Sequence, residues 1–171
     1  MDQIWDGLMA HFEARADYLR VFDRHHMRPD AWLKVEILYA LGQTFPQGVV
    51  REIRPDRQGC DVWFSTAEGE CRVVTKGLIT SYAGGAGKQR QTVVAMEEVS
   101  RDMDKLRGLS TLSGGSPVML FCAFPFGSEP RELDEWRSQL LRFEAKGFEL
   151  ARKQTVALRQ GRESRLYLFA Q

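Results

Sequence analysis

The sequence predicts an α/β fold, because segments with helical spacing of apolar residues alternate with short apolar segments typical of strands. The predicted order of elements is α-α-β-β-β-α-β-α-β-β. The chain has 171 residues, 43% of them hydrophobic and 27% charged, and this composition predicts one compact domain over residues 1–171. No internal repeat, low-complexity tract or long linker divides the chain.

The first half of the chain contains two predicted helices and three predicted strands. Residues 4–22 carry apolar side chains at roughly helical spacing, and a second helix runs from Asp30, its N-cap, through about Gln43. The strands are predicted at residues 49–53, 61–64 and 70–82, separated by segments rich in turn formers.

The second half repeats this alternation. Residues 93–109 have apolar side chains three or four apart and form the third predicted helix, and residues 132–145 form the fourth. Between them, residues 117–124 form a continuous apolar strand of the kind that is covered on both faces. Residues 148–157 and 165–170 are predicted to close the sheet as a strand pair.

Two neighbouring strands carry the residues that point to a function. Asp61 begins the second strand, and the third strand contains Val73-Val74-Thr75-Lys76. Lys76 lies between apolar residues, where an unpaired buried ammonium is costly, so we expect a carboxylate beside it. Asp61 is the natural partner.

These residues and the element order resemble the PD-(D/E)XK nuclease superfamily, whose restriction-endonuclease-like fold has an α-β-β-β-α-β core. The resemblance covers about residues 29–125, with the first helix and the last α-β-β as additions, and it implies a central mixed β-sheet flanked by helices. In that family a helical Glu, an Asp that starts the second strand and a Glu-x-Lys on the third surround one or two divalent metals. The segment 101–107 also resembles the Asp-x-x-Lys-Leu helix that often follows the catalytic strand.

The resemblance assigns roles to three residues. It implies that Glu36 is the helical acid and a metal ligand, that Asp61 is the strand aspartate and a metal ligand, and that Lys76 stabilises the attacking water or the developing phosphate charge. The implied cofactor is Mg²⁺ or Mn²⁺ if the site is active, and none otherwise.

Val74 departs from the family pattern, because it stands where the acid of Glu-x-Lys is expected. Magnesium is usually held by one or two carboxylates with waters and substrate phosphate, and valine supplies no ligand. A carboxylate from Glu36, or from Glu97 or Glu98 on the next helix, could enter the same site. Glu70 is a weaker substitute, because it lies roughly 13 Å from residue 74 along an extended strand.

The same residues have simpler structural interpretations. Asp61 can be an acid beside a turn, Glu36 can be a solvated helix residue, and Asp61 and Lys76 can form an ion pair left over in a site that no longer turns over. The tryptophans are most simply core anchors, although Trp63 could stack on a base if its strand face lines an open cleft.

Nucleic-acid contact requires a local basic patch, because the net charge of +1 gives no general attraction to polyanions. The glycine-rich segment 83–90 lacks the spacing of a phosphate-binding P-loop, yet its Lys88 and Arg90 are candidates to grip a nucleic-acid backbone. Arg57 and Arg72 extend the candidate patch. DNA is the favoured ligand over RNA.

The remaining composition excludes several classes of protein. The three cysteines form no CxxC pair and lie in apolar segments, which predicts reduced core thiols and a cytoplasmic location. No apolar segment is long enough for a membrane span, and the start of the chain lacks the order of a signal peptide. The histidines lack zinc-site spacing, and no nucleophile elbow occurs.

Three functions remain open. The favoured one is a degenerate PD-(D/E)XK nuclease-like domain that binds nucleic acid with lost or reduced catalysis, for example as a subunit of a prokaryotic DNA-processing or defence assembly. The first alternative is an active Mg-dependent endonuclease with a relocated carboxylate. The second is a protein-interaction module, supported by the amphipathic first helix and by residues 132–145, whose apolar side chains could form a homodimer face.

Overall fold

The computed structural model describes residues 1–46, 48–56, 59–80, 89–113, 115–126, 130–158 and 161–171. For residues 89–91, 113 and 130 it describes the backbone alone. The helices are α1 Asp2–Ala14, α2 Ala16–His25, α3 Asp30–Gln43, α4 Gln89–Ser113 and α5 Pro130–Glu144. The strands are β1 Glu52–Pro55, β2 Val62–Ser65, β3 Glu70–Ile79, β4 Ser116–Phe126, β5 Glu149–Ala157 and β6 Glu163–Ala170. The predicted α/β class is confirmed.

The first predicted helix is two helices, separated at Arg15. Arg15 has φ −111° and ψ 19°, outside the helical region, and its N–H donates to the carbonyl of Phe12. The apolar spacing continues across this break, from Phe12 to Leu19, so the sequence pattern did not reveal it. The guanidinium of Arg15 forms an ion pair with the carboxylate of Glu36 on α3.

The six strands form one mixed sheet in the order β1-β2-β3-β4-β6-β5. Strands β1, β2 and β3 are antiparallel neighbours, β3 and β4 are parallel, and β6 is antiparallel to both β4 and β5. A parallel pair needs a long crossover, and α4 provides it between β3 and β4. The predicted closing pair of strands is confirmed as β5 and β6.

The two faces of the sheet are covered by different helices, which gives two cores. Helices α1 and α3 cover one face, where Phe12 and Ile37 pack with Val73 of β3. Helices α4 and α5 cover the other, where Met103 and Trp136 pack with strand residues. Side chains alternate along a strand, so Val73 and Thr75 belong to the first face and Val74 and Lys76 to the second. Strand β4 is buried on both faces from Pro117 onward, as its apolar sequence predicted.

The predicted core thiols are confirmed, since Cys60, Cys71 and Cys122 are buried and form no disulfide among the described residues. Trp63 is 4% exposed and donates its indole N–H to Glu70 at 3.1 Å, so it is a core residue. Within the described part of the chain, no helix has the length and apolar character needed to cross a membrane.

Candidate functional site

A cleft opens where β3 extends beyond its antiparallel neighbour. Strand β2 begins at Val62, which pairs with Val73, so among the described strands residues 74–79 of β3 pair with β4 alone. Helices α3 and α4 flank the opening, whose volume is about 390 Å³. It is lined by Asp30, Ala31, Lys34, Gly59, Asp61, Val74, Thr75, Lys76, Asp102 and Lys105.

Asp61 continues the strand pairing with its side chain. Its N–H donates to the carbonyl of Val73 at 2.9 Å, and its Oδ2 accepts the N–H of Thr75 at 2.6 Å and the Thr75 hydroxyl at 3.0 Å. The carboxylate therefore satisfies a backbone donor that no strand reaches.

Lys76 pairs with α4 and not with Asp61. Its Nζ lies 3.0 Å from Asp102 Oδ2 and 3.8 Å from Glu98 Oε2. The expected ion pair with Asp61 does not form among the described residues, because Lys76 projects from the face that α4 covers while the Asp61 carboxylate is engaged by Thr75. The requirement for a neighbouring carboxylate is nevertheless met.

Val74 lies on the same face as Lys76 and also lines the cleft. Its side chain is half-buried and packs against the core under α4 and α5. The position where the family pattern places an acid therefore faces the cleft and carries an apolar side chain.

Glu36 is placed on another side of α3. Lys34 lines the cleft, and a helix turns about 200° over two residues, so Glu36 cannot share that side. Its Oε2 lies 2.6 Å from His11 Nε2 and 2.7 Å from Arg15 Nε, in a largely buried cluster that joins α3 to α1. The structure does not bring Glu36 beside Asp61 and Lys76.

The predicted nucleic-acid contacts are only partly described. Arg72 is 2% exposed and lies near Glu70, with N and O 3.9 Å apart, because its position on β3 projects under the helices. It is therefore not on the surface. Lys88 and Arg57 lie outside the described residues, as does the side chain of Arg90, which falls in the first turn of α4.

Sequence reasoning missed two side chains that complete the cleft. Asp102 and Lys105 were assigned no role, although Asp102-Met103-Asp104-Lys105-Leu106 is the Asp-x-x-Lys-Leu segment noted above. Asp102 Oδ1 lies 3.4 Å from Lys105 Nζ, while its Oδ2 binds Lys76. The signal was present, but its distance from Asp61 in sequence hid the connection.

The cleft is balanced in charge, since its described lining contains three carboxylates and three lysines. Lys34 also pairs with Asp56 outside the lining. No group of three or more His, Cys, Asp or Glu side chains that could hold a metal occurs among the described residues. Asp102 is engaged by two lysines and Asp61 Oδ2 by Thr75, so the arrangement fits a divalent cation poorly.

Comparison with protein-family models, with curated proteins and with solved structures found no match to this chain.

Proposed function

We propose that the chain is a nuclease-like domain that binds nucleic acid in the cleft beside β3 and does not hydrolyse it efficiently. The convergence of three lysines on this cleft carries the proposal: Lys34 comes from α3, Lys76 from β3 and Lys105 from α4. The consecutive elements α3-β1-β2-β3-α4-β4 have the α-β-β-β-α-β order that the resemblance implies, and they support a restriction-endonuclease-like fold.

Phosphate is the ligand group that suits this cleft. A lysine ammonium is a compact charge with three donors and binds phosphate oxygens without demanding one geometry. The Lys105 side chain is 76% exposed and stands at the opening, where it can meet a ligand early. Because the net charge is only +1 and the described lining is balanced in charge, attraction to a polyanion requires these lysines to exchange their carboxylate partners for phosphates.

We expect weak catalysis because few carboxylates are placed to hold a metal in the cleft. Metal-assisted hydrolysis needs an ion that polarises the phosphate and lowers the pKa of a bound water, and this ion needs oxygen ligands in a defined arrangement. Val74 supplies none, and Glu36 is bound to His11 and Arg15. Among the described lining residues, Asp61 is the one carboxylate beside the strands.

A second candidate function is an active Mg²⁺- or Mn²⁺-dependent endonuclease with a relocated carboxylate. One observation favours it: Asp102 enters the same cleft as Asp61 from α4. For this function, Asp102 must leave Lys76 and Lys105 and turn to the metal, and Lys76 would then be released to assist the attacking water.

The test is an assay that scores binding and cleavage together. Labelled single- and double-stranded DNA and RNA are incubated with Mg²⁺, Mn²⁺ or EDTA and the wild type, Asp61→Asn or Lys76→Gln. The asparagine keeps an oxygen acceptor for Thr75, so this variant removes charge with little loss of structure. We expect binding without cleavage, weakened by Lys76→Gln.

Metal-dependent cleavage that Asp61→Asn abolishes would reject the main proposal and support the relocated carboxylate. A wild type that neither binds nor cleaves would reject both, and it would leave the protein-interaction module as the surviving alternative.

A further inference from the structure

Two carboxylates of α4 already contact Lys76, one of the three lysines that line the cleft. Glu98 and Asp102 are four residues apart, so they share one side of α4, and both reach Lys76, at 3.8 Å and 3.0 Å. Like charges at this spacing repel each other on a helix. Lys76 offsets this repulsion because its ammonium contacts both of them.

Each carboxylate also contacts a second cation. Asp102 Oδ1 lies 3.4 Å from Lys105, and Glu98 Oε2 lies 3.6 Å from Arg28. Arg28 is fixed at the cleft edge, because its Nε donates to the carbonyl of Gly77 at 2.9 Å. Arg28 also lies 3.3 Å from Asp30 of the cleft lining, so the series alternates three carboxylates with three cations.

We propose that Glu98 and Asp102 stand where two phosphates of a bound nucleic-acid strand would stand, so that the strand must displace them to bind. This inference rests on the proposed function and adds its regulation. A carboxylate and a phosphate make the same kind of charge-assisted hydrogen bond to lysine and arginine, so one can replace the other. Because Glu98 and Asp102 compete for the same cations, they lower the affinity of the cleft for nucleic acid. This competition favours ligands that present several phosphates over single anions.

The structure permits this exchange. The side chains of Glu98, Asp102 and Lys76 are 35%, 22% and 20% exposed, so a ligand can reach the contacts without unfolding the protein. The carboxylates can turn to solvent once released, since both side chains are already partly exposed.

Helix α4 also offers a matched control. Glu97 is exposed, and Asp104 pairs with Lys146 and Arg107. The described contacts of Lys76 are with Glu98 and Asp102 and not with these two residues. The variants Glu98→Gln/Asp102→Asn and Glu97→Gln/Asp104→Asn therefore remove the same two charges from the same helix. Only the first pair releases Lys76.

Affinity is measured by fluorescence anisotropy in EDTA with a labelled single-stranded DNA and with its duplex, at several salt concentrations. We expect the cleft variant to bind roughly tenfold or more tightly than wild type and the control variant less than about threefold more tightly. The salt dependence, plotted as log K against log salt, should steepen by about one for each added phosphate contact in the cleft variant only.

Other results overturn the inference. Equal gains in DNA affinity for the two double variants would mean a general effect of charge. Weaker binding by the cleft variant than by wild type would mean that the two carboxylates support the binding site. In both cases wild-type binding leaves the proposed function standing. If no variant binds, the proposed function itself fails. Should the double variant melt early, Asp102→Asn against Glu97→Gln gives the same contrast.

Discussion

Replacing Glu36 by alanine should destabilise the protein, because this side chain joins α3 to α1. The Glu36 side chain is 12% exposed and that of His11 is 8% exposed, with their oxygen and nitrogen 2.6 Å apart, and Arg15 adds a contact of 2.7 Å. A hydrogen bond to a charged group contributes about 1.5–3 kcal/mol. Two such bonds give about 3–6 kcal/mol, and the 31% exposure of Arg15 favours the lower end, about 3 kcal/mol.

The assay is urea and thermal unfolding followed by circular dichroism. For a chain of this size, about 3 kcal/mol corresponds to a fall of roughly 6–12 °C in Tm. Glu13→Ala on α1 is the control, since Glu13 is exposed and should change stability by less than about 0.5 kcal/mol. The loss of stability for Glu36→Gln should lie between those of Glu36→Ala and Glu13→Ala, because the amide keeps an acceptor but loses the charge.

One result would refute this reasoning. If Glu36→Ala unfolds like Glu13→Ala and instead loses affinity for Mn²⁺, the carboxylate serves a metal and not the helix contact.

Three further changes follow from the contacts described above. Val74→Glu adds a carboxylate to the cleft, and calorimetry should show roughly tenfold tighter Mn²⁺ binding than for Val74→Gln; equal affinities would mean that the cleft cannot form a metal site. Gly77→Ala should cost about 1–3 kcal/mol in urea unfolding, because its Cβ would overlap Pro29 Cδ and lie 2.7 Å from Pro29 N, and an unchanged midpoint would contradict this close approach. Burial raises the pKa of Cys71 and of Cys122 from 9.0 to about 12. As pH rises, these thiols therefore ionise in the unfolded chain before they ionise in the folded protein. The free energy of unfolding should fall as pH rises from about 9 to 12. Alanine at either position should reduce this alkaline loss by about 1.4 kcal/mol at pH 10, and an identical pH profile of unfolding would contradict the shift.

The fold class was predictable because the strands are short apolar segments bounded by turn formers, and the helices carry apolar residues at regular spacing. Strands β2, β3 and β4 lie within a few residues of their predicted positions. Strand β1 begins at Glu52 and not at residue 49, and α4 begins at Gln89 and not at 93, since hydrogen bonding to neighbours sets such ends. The placement of Asp61 and Lys76 in one cleft follows from adjacent strands.

The orientation of Glu36 was not predictable from α3 alone. Apolar residues surround this helix on nearly all sides, with Val35 60% and Tyr39 51% exposed while Ile37 is buried. Its pattern therefore does not indicate which side faces the core, and packing against α1 decides it. The role of Asp102 was hidden for a related reason, because only the crossover of α4 over β3 brings it to Lys76.

The most direct test of nucleic-acid binding in this cleft is a photocrosslink. Benzoylphenylalanine replaces either Lys105 at the opening or Lys153, an exposed residue of β5 at the far edge of the sheet. Labelled DNA is irradiated with each protein in EDTA, and the crosslinked fraction is measured. We expect a crosslink from position 105 that excess unlabelled DNA abolishes and little from position 153. Equal crosslinking from both positions, or crosslinking from position 153 alone, would contradict binding in the cleft.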